Sequence, residues 1–105
     1  MDTLVFSDGT ILGVIGRQGE VVVEFADWQE RRWSILFRGA IAYKSISSEG
    51  EEIADLLELI ETDFSREVES LDGDKGGSYC FVSAWSNDVV LTIIAEGYTA
   101  SVVVS

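Results

Sequence analysis

The stretch "EVVVEFADWQERRWSILFR", residues 20–38, decides the fold. Apolar and polar residues alternate in its first and last parts, 20–25 and 32–38, and this period of two is typical of a half-buried strand. The inward faces are then Val21, Val23 and Phe25 on the first strand and Trp33, Ile35 and Phe37 on the second. Because the connection "ADWQER" is short, the two strands are expected to be neighbours.

Residues 3–15, "TLVFSDGTILGVI", predict a hairpin on the N-terminal side of this pair. Asp8-Gly9 stands between two β-rich runs, as a two-residue type I′ turn requires, and this turn would set Phe6 opposite Ile11. The "GRQG" that follows, residues 16–19, predicts the next turn.

Further strands are predicted on the C-terminal side. Gly39 predicts a bend or bulge, and "AIAYKSI" (40–46) predicts a strand with Ile41 and Tyr43 inward. The last three predicted strands are residues 78–85, 88–96 and 98–105, with tight connections at 86–87 and Gly97. The final two are almost continuous, so the last strand is expected inside or along the sheet.

The hydrophobic period changes in "SSEGEEIADLLELIETDFSRE", residues 47–67. Its apolar residues recur at helical spacing and form one stripe, which consists of Ile53, Leu56, Leu57, Ile60 and Phe64. Ser48 followed by Glu51 is a capping-box pattern. The sequence therefore predicts an amphipathic helix near residues 49–64. Residues 66–71 are ambiguous, because Val68 and Leu71 also fit a short strand.

These elements predict a single domain, residues 1–105, of the α+β class. The expected architecture is a mainly antiparallel β-sheet or sandwich of about seven or eight strands with the one helix. A chain of 105 residues that is 47% hydrophobic is long and apolar enough for one core.

Charge sets the expected partners. The net charge of −12 argues against nucleic acid and against anionic membranes, both of which need basic surface, and favours a basic protein. The first residues lack the pattern of a signal peptide, no stretch approaches the length of a membrane-spanning apolar run, and Cys80 is a lone thiol in an apolar run. We therefore expect a protein without a signal peptide in the cytoplasm.

Several kinds of chemistry are disfavoured. The chain has no histidine and one cysteine, which leaves no Ser-His-Asp or Cys-His site and no usual zinc site. We therefore expect no catalytic residues, no cofactor and no metal. Asp72 and Asp74 have the spacing of the first two calcium-loop ligands, but Gly76 and Ser83 stand where later ligands belong.

Acidic residues form the first candidate site. On the predicted helix Glu51, Asp55, Glu58 and Glu61 lie opposite the apolar stripe, and Leu59 lies among them. Like charges three and four residues apart destabilise a helix slightly, and such uncompensated breaks of local rules are where function is suspected. The face is either a docking surface for a basic partner or a solvated helix face.

Tryptophan supplies the second candidate. Trp33 fits the inward face of its strand, and Trp85 is expected in the core or at a sheet end. Trp28 differs, because it lies in the charged connection "ADWQER". It is either an interface anchor or a cap on the open end of the sheet. Arg31 and Arg32 are expected to pair with nearby carboxylates.

The segments "FSDGTILGV", "VVVEFADW…RRWSILFRG" and "SYCFVSAWSNDVVLTIIAEG", together with the acidic amphipathic segment, resemble small acidic bacterial proteins. Some of these are similar to the immunity proteins of polymorphic-toxin and contact-dependent inhibition systems. The resemblance implies a cytosolic protein that neutralises a basic toxin such as a nuclease.

The residues themselves favour a non-enzymatic acidic protein-binding module, with Glu51, Asp55, Glu58, Leu59, Glu61 and Trp28 as candidate partner-binding residues. The alternative is a structural or self-assembling module that builds a homo-oligomer. A carboxylate-based enzyme would need a deep pocket that contains at least two of the acids.

Overall fold

The structure, a computed structural model, describes residues 4–72 and 76–103, except for the side chain of Asp72. These residues form eight strands and one helix, and every strand pair is antiparallel. The elements are β1 (Gly9–Arg17), β2 (Gly19–Ala26), β3 (Arg32–Ala40), β4 (Ala42–Ser45), β5 (Glu52–Leu59), α1 (Asp63–Asp72), β6 (Gly77–Ser83), β7 (Val89–Ala95) and β8 (Gly97–Val102). The predicted α+β, mainly β class is confirmed.

The strands form one sheet with the order β4-β7-β6-β5-β1-β2-β3-β8. Only two residue pairs, Gly9 with Ile53 and Thr10 with Glu52, join β1 to β5. The sheet therefore has two four-stranded halves. We call β4-β7-β6-β5 the helix-bearing half, because α1 lies on its outer face, and β1-β2-β3-β8 the bare half.

A second connection between the halves is made by the chain itself. One residue, Ile41, separates β3 from β4, and one residue, Glu96, separates β7 from β8. The N–H of Ile41 donates to the carbonyl of Ile94 and the N–H of Glu96 to that of Arg38, so pairing continues across this corner. Gly39, with φ +62, is the extra residue of a bulge here, which confirms the predicted bend.

The core lies between the inner faces of the two halves. Rings from the bare half contact rings from the helix-bearing half: the centroids of Phe37 and Tyr79 are 5.4 Å apart, and those of Phe25 and Phe81 are 6.4 Å apart. The six predicted inward residues of the fold-deciding stretch are all buried: Val21, Val23, Phe25, Trp33, Ile35 and Phe37. This part of the prediction is confirmed.

The predicted Asp8-Gly9 hairpin is wrong. Residues 4–6 form no strand, and the N–H of Gly9 donates to the carbonyl of Phe6 in a turn that directs the chain into the core. The ring of Phe6 lies 5.6 Å from Phe25, 5.9 Å from Phe81 and 6.2 Å from Tyr98. Burial against aromatic rings from both halves outweighs the local turn preference.

The predicted helix near residues 49–64 is also wrong, because most of this segment is β5. Ile53 pairs with Ser83 and Asp55 with Val82, so Ala54 is an extra residue in a bulge. The bulge brings Ile53 and Leu56, three residues apart, to the same inner face. A strand with a bulge thus reproduces the i, i+3 spacing of a helix over one step.

The helix of the structure is α1. It includes residues 66–71, which the sequence analysis left ambiguous because they also fit a short strand. Thr62 caps it: the N–H of Ser65 donates to Thr62 Oγ1 at 3.1 Å, and the N–H of Thr62 donates to Ser65 Oγ at 2.8 Å. This reciprocal pair replaces the predicted Ser48–Glu51 capping box. Ser48 is instead buried, with its Oγ 2.6 Å from Ser45 Oγ.

Helix α1 covers the outer face of the helix-bearing half. Thr62 Oγ1 lies 3.0 Å from Ser78 Oγ, and Lys44 Nζ lies 6.0 Å from the ring centroid of Phe64. Four further residues are buried on this side, namely Val68, Cys80, Thr92 and Ile94. Burial raises the pKa of the Cys80 thiol, which a hydrogen bond with Thr92 partly offsets.

Two further side-chain predictions hold only in part. Of the two places expected for Trp85, the structure excludes the core, because Trp85 is 80% exposed on the turn at the end of β6. Its strand ends at Ser83, and the backbone then leaves the sheet. Tyr43 pairs with the core residue Ile93 and so faces inward, as predicted, but it remains half exposed, with its ring over Gly16 at the rim.

Replacement of Phe6 by alanine should lower the free energy of unfolding by at least about 2 kcal/mol, because it leaves a cavity among three rings. Denaturant unfolding measures this effect. The half-exposed neighbour Val5 is the control, and Val5→Ala should change stability by less than about 0.5 kcal/mol. Equal effects of the two substitutions would contradict the placement of Phe6 in the core.

Candidate functional site

Strand β5 separates the four predicted acids. Glu51 precedes the strand and hydrogen-bonds with Ser83 Oγ. Asp55 and Glu58 lie in β5 beyond the bulge and are an odd number of residues apart, so their side chains project to opposite sides of the strand. Glu61 follows the strand, and its carboxylate lies 3.5 Å from Arg66 Nε. The predicted common acidic face is therefore wrong, because it depended on helical geometry.

The structure instead exposes one continuous run, Asp55–Glu61, which we call the β5 segment. Every residue in it except Leu56 is exposed. Leu57 is 40% exposed, Leu59 is 43% exposed and Ile60 is 96% exposed. Leu59 is thus exposed, as predicted, whereas the helical spacing predicted Leu57 and Ile60 in the apolar stripe. The alternation of acidic residues and leucines was the sequence signal for this exposed strand, but the same residues also fit a helix and were interpreted as one.

The β5 segment also has an open backbone edge. Strand β6 pairs with one edge of β5 from Ile53 to Leu59, but β1 pairs with the other edge only at Glu52 and Ile53. Among the described residues, no strand pairs with this second edge from Asp55 to Leu59. An open edge is a template for another extended chain, and charged side chains limit unspecific pairing there.

Glu58 lies beside two phenols at the rim of the inner face. It pairs with Tyr79 between β5 and β6, and the Tyr79 and Tyr98 rings are 5.7 Å apart. Burial raises the pKa of both phenols, and the negative charge of Glu58 raises it further. The two hydroxyls therefore stay protonated at neutral pH and can donate hydrogen bonds, but neither is an activated nucleophile.

The turn that carries Trp28 is built around Asp27. The buried Asp27 carboxylate accepts hydrogen bonds from the N–H groups of Gln29 and Arg31 at 2.9 Å, from Arg31 Nε at 3.0 Å and from Trp33 Nε1 at 2.9 Å. The predicted pairing of Arg31 with a nearby carboxylate is confirmed. Trp33 is buried, as predicted.

Trp28 itself is 58% exposed at the tip of this turn. Its exposure fits an interface anchor better than a cap on the sheet. It belongs to the turn between β2 and β3, whereas the exposed acids follow β5 or lie in it. The structure therefore places Trp28 on a separate element from the β5 segment.

The described residues contain no group of three or more histidine, cysteine or acidic side chains that could hold a metal ion. The calcium-like spacing of Asp72 and Asp74 lies outside the residues whose side chains the structure describes. A shallow hollow of about 250 Å³ adjoins the β5 segment, lined by Ile60, Glu61, Ser65, Glu69 and Gly76. Over residues 4–72 and 76–103, no helix has the length and apolarity needed to cross a membrane.

Comparison with protein families, with curated proteins and with solved structures finds no match to this chain. The functional interpretation therefore depends on the surfaces described above.

Asp27→Asn should destabilise the fold by about 2–3 kcal/mol at neutral pH, because an amide cannot accept all four hydrogen bonds. Burial alone would raise the pKa of Asp27, but the hydrogen bonds from Trp33, Arg31 and Gln29 outweigh it and lower the pKa below 3.8. The charged carboxylate thus stabilises the fold fully above pH 3.8, and this stabilisation is lost as the pH falls through the lowered pKa.

Denaturant unfolding of wild type and variant across this acidic range measures the effect. The stability difference should be largest at neutral pH and shrink below pH 3.8. The exposed Glu49 provides the control, since Glu49→Gln should leave the profile unchanged. A difference between wild type and Asp27→Asn that stays constant with pH would contradict this role of the carboxylate.

Proposed function

We propose that the protein is a non-enzymatic binding module that binds a basic protein through the β5 segment. The observation that carries this proposal is one exposed strand end that combines an open backbone edge with acidic and aliphatic side chains. The acids are Asp55, Glu58 and Glu61, and the aliphatic residues are Leu57, Leu59 and Ile60.

Strand addition is the mode of binding that this surface fits. An extended segment of the partner would supply main-chain hydrogen bonds to the open edge of β5, and its alternate side chains would meet Leu57 and Leu59. Lysine or arginine in that segment would meet Asp55 and Glu58. The net charge of −12 would accelerate the encounter with a basic protein.

Neutralisation of a basic toxin in the cytoplasm is the specific form of this function that we propose. Enzymes that cut nucleic acids have basic surfaces for phosphate, and carboxylates can occupy such surfaces in place of phosphate. A module that blocks such a surface needs no catalytic group of its own. The exposed acids of the β5 segment support this form.

The test is co-purification from the cells that produce the protein, followed by identification of bound proteins. A basic partner should be retained at low salt and released at high salt. Asp55→Lys combined with Glu58→Lys should weaken its retention at least about tenfold, since it replaces attraction with repulsion at two sites. If the partner is a nuclease, the wild-type protein should inhibit it and the double variant should not.

A matched control separates this site from net charge. Glu49→Lys combined with Glu67→Lys makes the same change of charge at exposed positions outside the β5 segment. This control should retain most of the partner binding. Equal losses in the two double variants would show that the β5 segment is not the site.

The alternative function, a self-assembling module, is favoured by a different observation. The outer face of the bare half combines a partly exposed apolar row with nearly balanced charge. It shares no residue with the β5 segment.

A further inference from the structure

The outer face of the bare half is a surface that no described element covers, whereas α1 covers the outer face of the other half. The register places its side chains in rows that cross the strands. The central row is Ile15, Val22, Leu36 and Thr99. On one side of it lies the row Arg17, Glu20 and Arg38, and on the other lies the row Gly13, Glu24, Ser34 and Ser101.

The central row is apolar across three strands. Ile15 is half exposed, and Val22 and Leu36 are partly exposed although their neighbours along each strand are buried in the core. Leu12 and Val103, also half exposed, extend the apolar surface on the side of Glu24. Contiguous apolar surface that is bordered by polar residues is typical of an interaction site.

Charge distinguishes this face from the rest of the chain. It carries three of the seven basic residues, Arg17, Arg32 and Arg38, and two of the nineteen acidic residues, Glu20 and Glu24, for a net charge of +1. The remaining four basic and seventeen acidic residues carry a net charge of −13. The edge strand β8 has no charged residue at all, from Gly97 to Val102. A second copy of this acidic chain therefore meets the least repulsion here.

We propose that this face is a homodimer interface, on which a second copy of the chain packs face to face. The charged rows are self-complementary. A rotation of 180° about an axis along the apolar row lays that row on itself and sets Glu24 of one copy over Glu20 of the other, between Arg17 and Arg38 on the two neighbouring strands. The row of Arg17, Glu20 and Arg38 has a net charge of +1 and the row of Glu24 has a net charge of −1, so the two rows that meet are opposite in net charge. Neighbouring strands are about 4.8 Å apart, so these charges come within reach of a long arginine side chain. In such a two-fold dimer each contact between the copies occurs twice, and the assembly is closed at two copies.

The surface also has room for these arginines. A hollow of about 300 Å³ lies on the Glu24 side of the apolar row, lined by Leu12, Glu24, Arg32, Trp33, Ser34 and Val103. The rotation places Arg38 of the second copy over this hollow. A guanidinium can then form a charge-assisted hydrogen bond with Glu24 while its stem packs on Leu12 and Val103.

Sedimentation of the full chain as a function of concentration tests the proposal. A concentration-dependent dimer is expected below about 1 mM, the range of weak but specific association. Leu36→Glu should weaken dimerisation at least about tenfold, since it sets a charge in the apolar row. Leu57→Glu makes the same change on the other half, at a residue that is already half exposed, and should leave the dimer intact. A monomer at every concentration up to about 1 mM would overturn the proposal.

Charge exchange tests the orientation without a change in the apolar row. Glu24→Arg alone should weaken the dimer several-fold, and Glu24→Arg combined with Arg38→Glu should restore it. A dimer that responds equally to Leu36→Glu and Leu57→Glu, or that the charge exchange does not restore, would refute this interface. Binding of the basic partner at the β5 segment is a separate property, so either proposal can fail without the other.

Discussion

The packing of aromatic rings between the two halves of the sheet is the interaction on which the rest of the structure depends. Phe81 from one half contacts Phe25 and Phe37 from the other, and Phe6 contacts rings from both. The halves share only two residue pairs between β1 and β5, so strand pairing alone holds them weakly there. Burial of these rings fixes which sheet face points inward, and so decides which side chains remain on the two outer faces.

The outer faces then differ because residues 4–72 and 76–103 contain a single helix, which covers one face and not the other. Helix α1 lies on the helix-bearing half and buries Cys80, Thr92 and Ile94 there. Strand β5, which β1 leaves unpaired beyond Ile53, keeps Leu57 and Leu59 half exposed. The bare half retains an apolar row with nearly balanced charge. The two proposed interactions follow from this asymmetry: acidic, open-edged β5 suits a basic partner, and the near-neutral face suits a second acidic copy.

Alternation was sufficient to predict most strands. It failed in β5, where a bulge and exposed apolar residues occur together. In residues 21–25 of β2 and 33–37 of β3 every second residue is buried, and the inward residues were predicted correctly. In β5 the bulge at Ala54 changes the parity, and Leu57 and Ile60 remain exposed, so the pattern of apolar residues imitates a helix. The candidate site was affected in the same way, since the acids of residues 51–61 were assigned to a shared face that exists only in a helix.

The sequence by itself determined the class of the fold, the central strand pair of residues 20–38 and the acidic character of the surface. These properties depend on composition and on spacing between near neighbours, which the chain carries locally. Only the tertiary structure decided that Phe6 enters the core, that β5 has an open edge and that Arg17, Arg32 and Arg38 share a face with Ile15, Val22 and Leu36. Each of these depends on contacts between residues far apart in the chain, and the order and register of strands are set by packing, which no local spacing specifies.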